Sequence, residues 1–232
     1  MKTTRIMKTT MSLIDFLAVF GLLTPVKGVE KPDKLHAGAE ISAPSKVQLS
    51  FNLRYNYPTR TSAKISVLVS TDFNGKRESF EDIQAATWTD ITARCHIDYE
   101  SNAFTPSGKV DITDLHKEGK PIYVAFKYVF DPAQGNRQGA TIWIGKVLVE
   151  AITEGKKTVL SSGLATDFLK HATGDTNKNP TRSENRDALG TGKSLIMQSN
   201  FHRTATVEGV TYTNKTRTED YFVSVPYDVN KK

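Results

Sequence analysis

The chain has 232 residues, 38% of them hydrophobic and 24% charged, enough apolar material for a packed core and too little net polarity for global disorder. The formal net charge is +6, but the lysines and arginines are scattered among acids, and five of the positive charges (Lys2, Arg5, Lys8, Lys231 and Lys232) stand at the chain ends. That distribution argues against a nucleic-acid-binding surface. The single cysteine, Cys95, excludes an internal disulfide and a thiolate metal cluster.

The first residues differ from the rest. Lys2, Arg5 and Lys8 precede the apolar run Met11 to Leu23, and Thr24-Pro25 breaks it. A basic start, a short apolar stretch and then breaker residues form the layout of a secretory leader over 1–28. The run is too short to span a membrane comfortably, so any membrane association is expected only through the leader or a partner. A polar linker covers 29–38, and a β domain is expected over 39–150.

Within that domain Val47, Leu49, Phe51, Leu53 and Tyr55 alternate with polar residues, which predicts a strand with one buried face. Lys64 to Ser70 is a second, more apolar strand, and Asp72-Phe-Asn-Gly75 follows as a turn. Glu78 to Ala86 reads as a helical turn or loop. Ile91 to Asp98 alternates like a strand, with Cys95 as a small buried hydrophobe; a nucleophilic pair with His96 is disfavoured because strand neighbours point to opposite faces. A polar loop runs from Tyr99 to Lys109, and Val110 to Leu115 is a short segment. The strongest β signals are Pro121 to Phe130 and Ala140 to Val149, both rich in β-branched and aromatic residues.

Residues 151–232 read as a loop-rich β extension, either part of the same domain or the start of a second, incomplete module. Lys157 to Ser161, Ser194 to Ser199, Thr206 to Thr213 and Asp220 to Val225 are its strand candidates, with a helical turn over Ala165 to His171 and a long exposed loop over Gly174 to Gly192. The fold class expected is all-β, a jelly roll or β-sandwich with an irregular, loop-rich C-terminal third.

Chemical motifs are sparse. Ala188-Leu-Gly-Thr-Gly-Lys-Ser194 imitates a phosphate loop, but Asp187 stands where the pattern needs glycine and no helix follows. The five histidines lack zinc-site spacing. Neither paired catalytic acids in a distinctive context nor a Gly-x-Ser-x-Gly elbow marks a hydrolase, so no catalytic residues are expected. No cofactor is expected either; for calcium, Asp72 with Asn74 or Asp98 with Glu100 would supply loop oxygens, although both pairs read first as turn residues. Asn214-Lys-Thr216 matches a glycosylation sequon by pattern alone. Trp88, Tyr123, Phe126 and one face of Trp143 are assigned to the core. Tyr55, Tyr57 and Tyr212 lie beside turns and polar residues and are the exposed rings on which a sugar would stack.

Ile65 to Gly75, Ala86-Thr-Trp-Thr-Asp-Ile-Thr92, Gly119 to Tyr128 and Ala140 to Val149 occur in an order that resembles the choice-of-anchor jelly-roll domains. More closely, it resembles an uncharacterised family of Bacteroidetes-type surface lipoproteins carrying such a domain. Thr218 to Pro226 is similar to the strand that opens such jelly rolls. The resemblance implies a β-sandwich, export to the periplasm or the outer-membrane surface, and no catalytic residues. It implies glycan binding in polysaccharide capture, with polysaccharide or outer-membrane glycan-uptake proteins as partners. The lipidated cysteine of that family has no counterpart here, and the chain stops directly after the opening-type strand, which reads as a shortened gene product or a fragment. The alternative is a structural or adhesive β-module acting through strand-mediated or surface protein interactions.

Overall fold

The computed structural model describes residues 43–59, 63–131, 139–172, 184–186, 194–198, 204–207, 210–213 and 217–230. The leader over 1–28, the linker over 29–38, the phosphate-loop-like stretch up to Lys193 and the sequon at Asn214 lie outside them. Fourteen strands occur among the described residues: β1 Lys46–Asn56, β2 Ala63–Ser70, β3 Thr89–Asp90, β4 Thr105–Pro106, β5 Val110–Asp111, β6 Tyr123–Phe130, β7 Thr141–Thr153, β8 Lys156–Val159, β9 Phe168–Ala172, β10 Glu184–Arg186, β11 Ser194–Met197, β12 Thr204–Val207, β13 Val210–Thr213 and β14 Thr218–Ser224. Two short helices accompany them, α1 Phe80–Ala85 and α2 Leu164–Asp167. No helix among the described residues is long and apolar enough to cross a membrane.

The strands form an all-β sandwich. The first sheet runs β10-β11-β7-β1-β4, with β5 also on β1 and β8 also on β7; the second runs β3-β2-β6-β14-β9, and β12 pairs with β13. All pairings are antiparallel. The alternation of β1 buries Val47, Leu49, Phe51, Leu53 and Tyr55 against Ile65, Val67 and Val69 of β2 and Val124, Phe126, Tyr128 and Phe130 of β6. The Phe51 and Phe126 rings meet edge to face at 5.2 Å across the two layers. Apolar contact of this kind, non-directional and summed over both faces, holds the layers together.

In β7 the period breaks once. Ile142 and Ile144 are buried, yet beyond them it is Val147, Val149 and Ala151 that face inward. The register slips opposite Ser50 to Asn52, and Lys146 takes a φ of 52°. This bulge inserts one extra residue, so the inward phase changes from even to odd positions. The same alternation turns Trp143 to the outer face, half-buried, with the Arg54 guanidinium 5.9 Å from its ring; the sequence had assigned one of its faces to the core.

One further expectation is corrected. The segment Ile91 to Asp98 is not a strand: it contains a 3₁₀ turn at Thr92–Arg94, where the Asp90 and Thr92 side chains bond backbone N–H groups and turn the chain. The strand likened to the one that opens a jelly roll, β14, sits between β6 and β9 inside the second sheet. Strands from beyond Glu150 therefore lie within both sheets, and Leu195, Met197, Phe222 and Tyr227 enter the same core as β1.

A smaller apolar cluster covers part of the outer face of the second sheet. Leu68, Tyr123, Ala125, Tyr221 and Val223 meet Phe73 and Ile83, with Phe80 and Trp88 against them. The Ser79 hydroxyl caps α1 by accepting the Asp82 N–H at 3.1 Å, and the Trp88 indole N–H reaches the Ile83 carbonyl at 2.7 Å. The turn before α1 is as expected: Gly75 has a φ of 83°, and Asn74 Oδ1 accepts the Lys76 N–H.

Candidate functional site

The chain between β3 and β4 is folded by its own polar side chains onto the edge of β2. Asp90 Oδ1 accepts the Thr92 N–H at 2.8 Å, which starts the 3₁₀ turn. Thr92 Oγ1 accepts the Val67 N–H at 2.8 Å, and the Ile91 N–H donates to the Val67 carbonyl at 2.9 Å. These bonds satisfy edge groups of β2 that a strand partner would otherwise take. Farther on, Asp98 Oδ1 accepts the N–H groups of both Glu100 and Ser101 at 3.0 Å. The Ser101 carbonyl accepts the Tyr55 N–H at 3.3 Å, and Asn102 Oδ1 accepts from the Arg54 guanidinium. The turn is thus tied to the end of β1, and Tyr99 stands at its apex.

Tyr99 is 49% exposed and borders an open groove of roughly 510 Å³, shared with Asp90, Thr92, Ala93, Cys95 and Ile97. Its ring meets Tyr55 edge-on, with 5.2 Å between centroids and 61° between planes. Burial pushes the Tyr99 phenol above its usual range, and Cys95 and Asp90 add to the shift. Burial pushes the Cys95 thiol up to about 11, Asp90 contributing. At neutral pH Cys95 is therefore the protonated thiol, a poor nucleophile, and its Sγ lies 3.5 Å from the Ile91 carbonyl.

The residues proposed from sequence fare differently. Tyr55 is 4% exposed, so it is a core residue and not a surface ring. Burial drives its phenol far above the usual range, and the Ile65 backbone hydrogen-bonds to it. Its place in the inward phase of β1 outweighs the polar residues beside it. Tyr57 is 49% exposed and takes a φ of 63°, rare for a bulky side chain. Tyr212 lies on β13, with its side chain outside the described residues. Tyr99, which sequence reading left inside a polar loop, was marked only by being an aromatic in the turn-forming run Asp98-Tyr-Glu-Ser-Asn102.

Of the calcium candidates, Asp72, Asn74 and Asp98 bond within their own turns. Asp72 Oδ1 accepts from the Ser70 hydroxyl at 2.8 Å and from the Thr87 N–H at 2.9 Å, and hydrogen bonding to Thr87 first, then to Ser70, holds its carboxyl below the usual range despite an opposing effect of burial. Asp98 caps two N–H groups as described. Among the described residues no three His, Cys, Asp or Glu side chains gather into a metal-holding group. A second recess of about 190 Å³, lined by Ser70, Thr71, Asp72, Thr87, Thr89, Asp114 and Lys117 with Val69 and Leu115, adjoins β3. It has hydroxyls and charges but no aromatic wall. The Tyr99 groove combines an aromatic ring with a carboxylate and a hydroxyl.

Residues 34–167 match the family described as a domain of unknown function (DUF5017). No curated protein and no solved structure matches the chain.

Proposed function

We propose that this chain, which belongs to the domain family of unknown function DUF5017, is a non-catalytic binding module that captures glycan chains at the Tyr99 groove. The observation that carries this reading is the Tyr99 ring itself. It is half-exposed, backed by a buried tyrosine, and mounted on a turn whose backbone is hydrogen-bonded to β1. A pyranose stacks its C–H face on such a ring while its hydroxyls meet Asp90 and Thr92, and a ring already held in place loses little freedom on binding. Tyr57 is a second exposed ring beyond the end of β1.

The basic, apolar-cored start of the chain supports export, to the periplasm or the outer-membrane surface. There the module would work beside polysaccharide or outer-membrane glycan-uptake proteins, as the lipoprotein resemblance implies. The competing reading, a structural module that accepts a partner strand, does not use the β2 edge near Val67, since Ile91 and Thr92 already occupy it.

Affinity electrophoresis of the full chain through gels holding single soluble polysaccharides tests the proposal. Retardation on at least one polysaccharide, lost in Tyr99→Ala, is expected. A wild-type chain that runs freely in every gel, or a Tyr99→Ala variant retarded equally, overturns it. Mass spectrometry of the envelope fraction of the producing cell checks export, with a mature N-terminus after the apolar run expected.

A further inference from the structure

We infer that the Tyr99 groove selects glycans by charge, preferring chains with free sugar amines and rejecting uronate and sulfated chains; the inference rests on the glycan-binding reading above. Among the residues lining the groove the one charged side chain is Asp90. Two more acids, Asp98 and Glu100, flank Tyr99 in sequence. The cation of the 3₁₀ turn, Arg94, is committed elsewhere: its guanidinium forms a two-pronged pair with Asp114 at 2.7 and 2.9 Å and also reaches the Asp111 carbonyl. Burial is the main cause of the raised Cys95 thiol and Tyr99 phenol, and the Asp90 carboxylate adds to both, so its charge is felt at two other lining residues.

Asp90 Oδ1 accepts one N–H, from Thr92, and a carboxylate has about four acceptor positions, so acceptor capacity remains. A sugar ammonium stacked over Tyr99 would meet that carboxylate. A uronate carboxylate or a sulfate in the same place would meet only like charge, without an arginine or lysine in the lining to receive it. Neutral chains fall between these two cases.

Calorimetry on the full chain with three oligosaccharides of equal length separates the outcomes. The probes are the hexamers of β-1,4-glucosamine, β-1,4-N-acetylglucosamine and α-1,4-galacturonate, at low salt and about pH 5.5, where amines are protonated and uronates ionised. The glucosamine hexamer should bind roughly two- to fivefold more tightly than its acetylated counterpart, the scale of an exposed ion pair, and galacturonate most weakly. Salt should erode the difference. Asp90→Asn, which keeps an oxygen for the Thr92 N–H, should abolish the difference between the two hexamers. Equal or stronger binding of galacturonate, or an amine preference that survives Asp90→Asn, overturns the charge selection while glycan binding stands. Failure of all three hexamers to bind overturns the charge selection, and binding that Tyr99→Ala leaves intact overturns the glycan reading at this groove and the charge selection with it.

Discussion

The ring of Tyr99 meets that of Tyr55 edge-on at 5.2 Å, and the two residues differ in exposure by an order of magnitude, 49% against 4%. One ring is a surface, and the other is its support. Substitutions at the two positions should separate accordingly. Tyr99→Ala loses an aromatic pair worth about 0.5–1.5 kcal/mol beyond the area it buries and should cost clearly less than Tyr55→Ala, which opens the core and should cost about 3–5 kcal/mol, as for other large aromatics. Urea unfolding of both variants measures the difference, and equal losses would show that Tyr99 is structural.

A second pair reports on the sandwich itself. Phe51 of β1 and Phe126 of β6 touch across the layers at 5.2 Å, and both are essentially inaccessible to solvent. Each Phe→Leu substitution should cost about 1–2 kcal/mol through lost packing and imperfect refilling. A double-mutant cycle should return about 0.5–1.5 kcal/mol of coupling. Additive losses would mean that the ring contact contributes nothing of its own.

Acid stability should depend on Glu219. Lys127 Nζ lies 3.3 Å from Glu219 Oε2 and 5.4 Å from the centre of the Tyr221 ring, and the Arg217 guanidinium pairs with Glu219 Oε1. Burial works to raise the Glu219 pKa, but the two cations outweigh it and hold the carboxyl below its usual range. A lowered folded-state pKa contributes stability above the ordinary glutamate value and loses it as pH falls through the folded value. The urea midpoint of the wild type should therefore fall below about pH 4.5, and Glu219→Gln should lose that part of the decline. Parallel pH profiles for the two proteins would contradict the assignment.

The Cys95 thiol, pushed up to about 11 by burial and then by Asp90, should resist alkylation. Against an unperturbed thiol with a pKa near 8.5, the thiolate fraction at about pH 8 is lower by on the order of a hundredfold. Iodoacetamide labelling followed by mass spectrometry should show slow modification in buffer, about tenfold faster for each pH unit, and rapid modification in urea. Labelling at the rate of a free thiol in the folded state would place Cys95 outside the environment described.

The family match and the sandwich were legible in different degrees. Strands β1, β2, β6 and β7 were marked by residues whose period or branching announces an extended chain, because pleating is a property of the backbone within a few residues. The same local reading misassigned Ile91 to Asp98. Its apparent alternation is overridden by Asp90 and Thr92, whose side chains bond the backbone and turn it.

Tyr55 shows the boundary most clearly. The sequence alone settled that it shares a face with Val47, Leu49, Phe51 and Leu53, since the side-chain period of a strand is two. Only the assembled sheets decided that this face is covered at its far end by Ile65 and the Tyr99 turn. Likewise, the bulge at Lys146 and the central place of β14 depend on partners distant in the chain. Periodicity is a short-range consequence of φ and ψ, but burial, edge protection and the ring left exposed at Tyr99 are long-range outcomes of which surfaces meet.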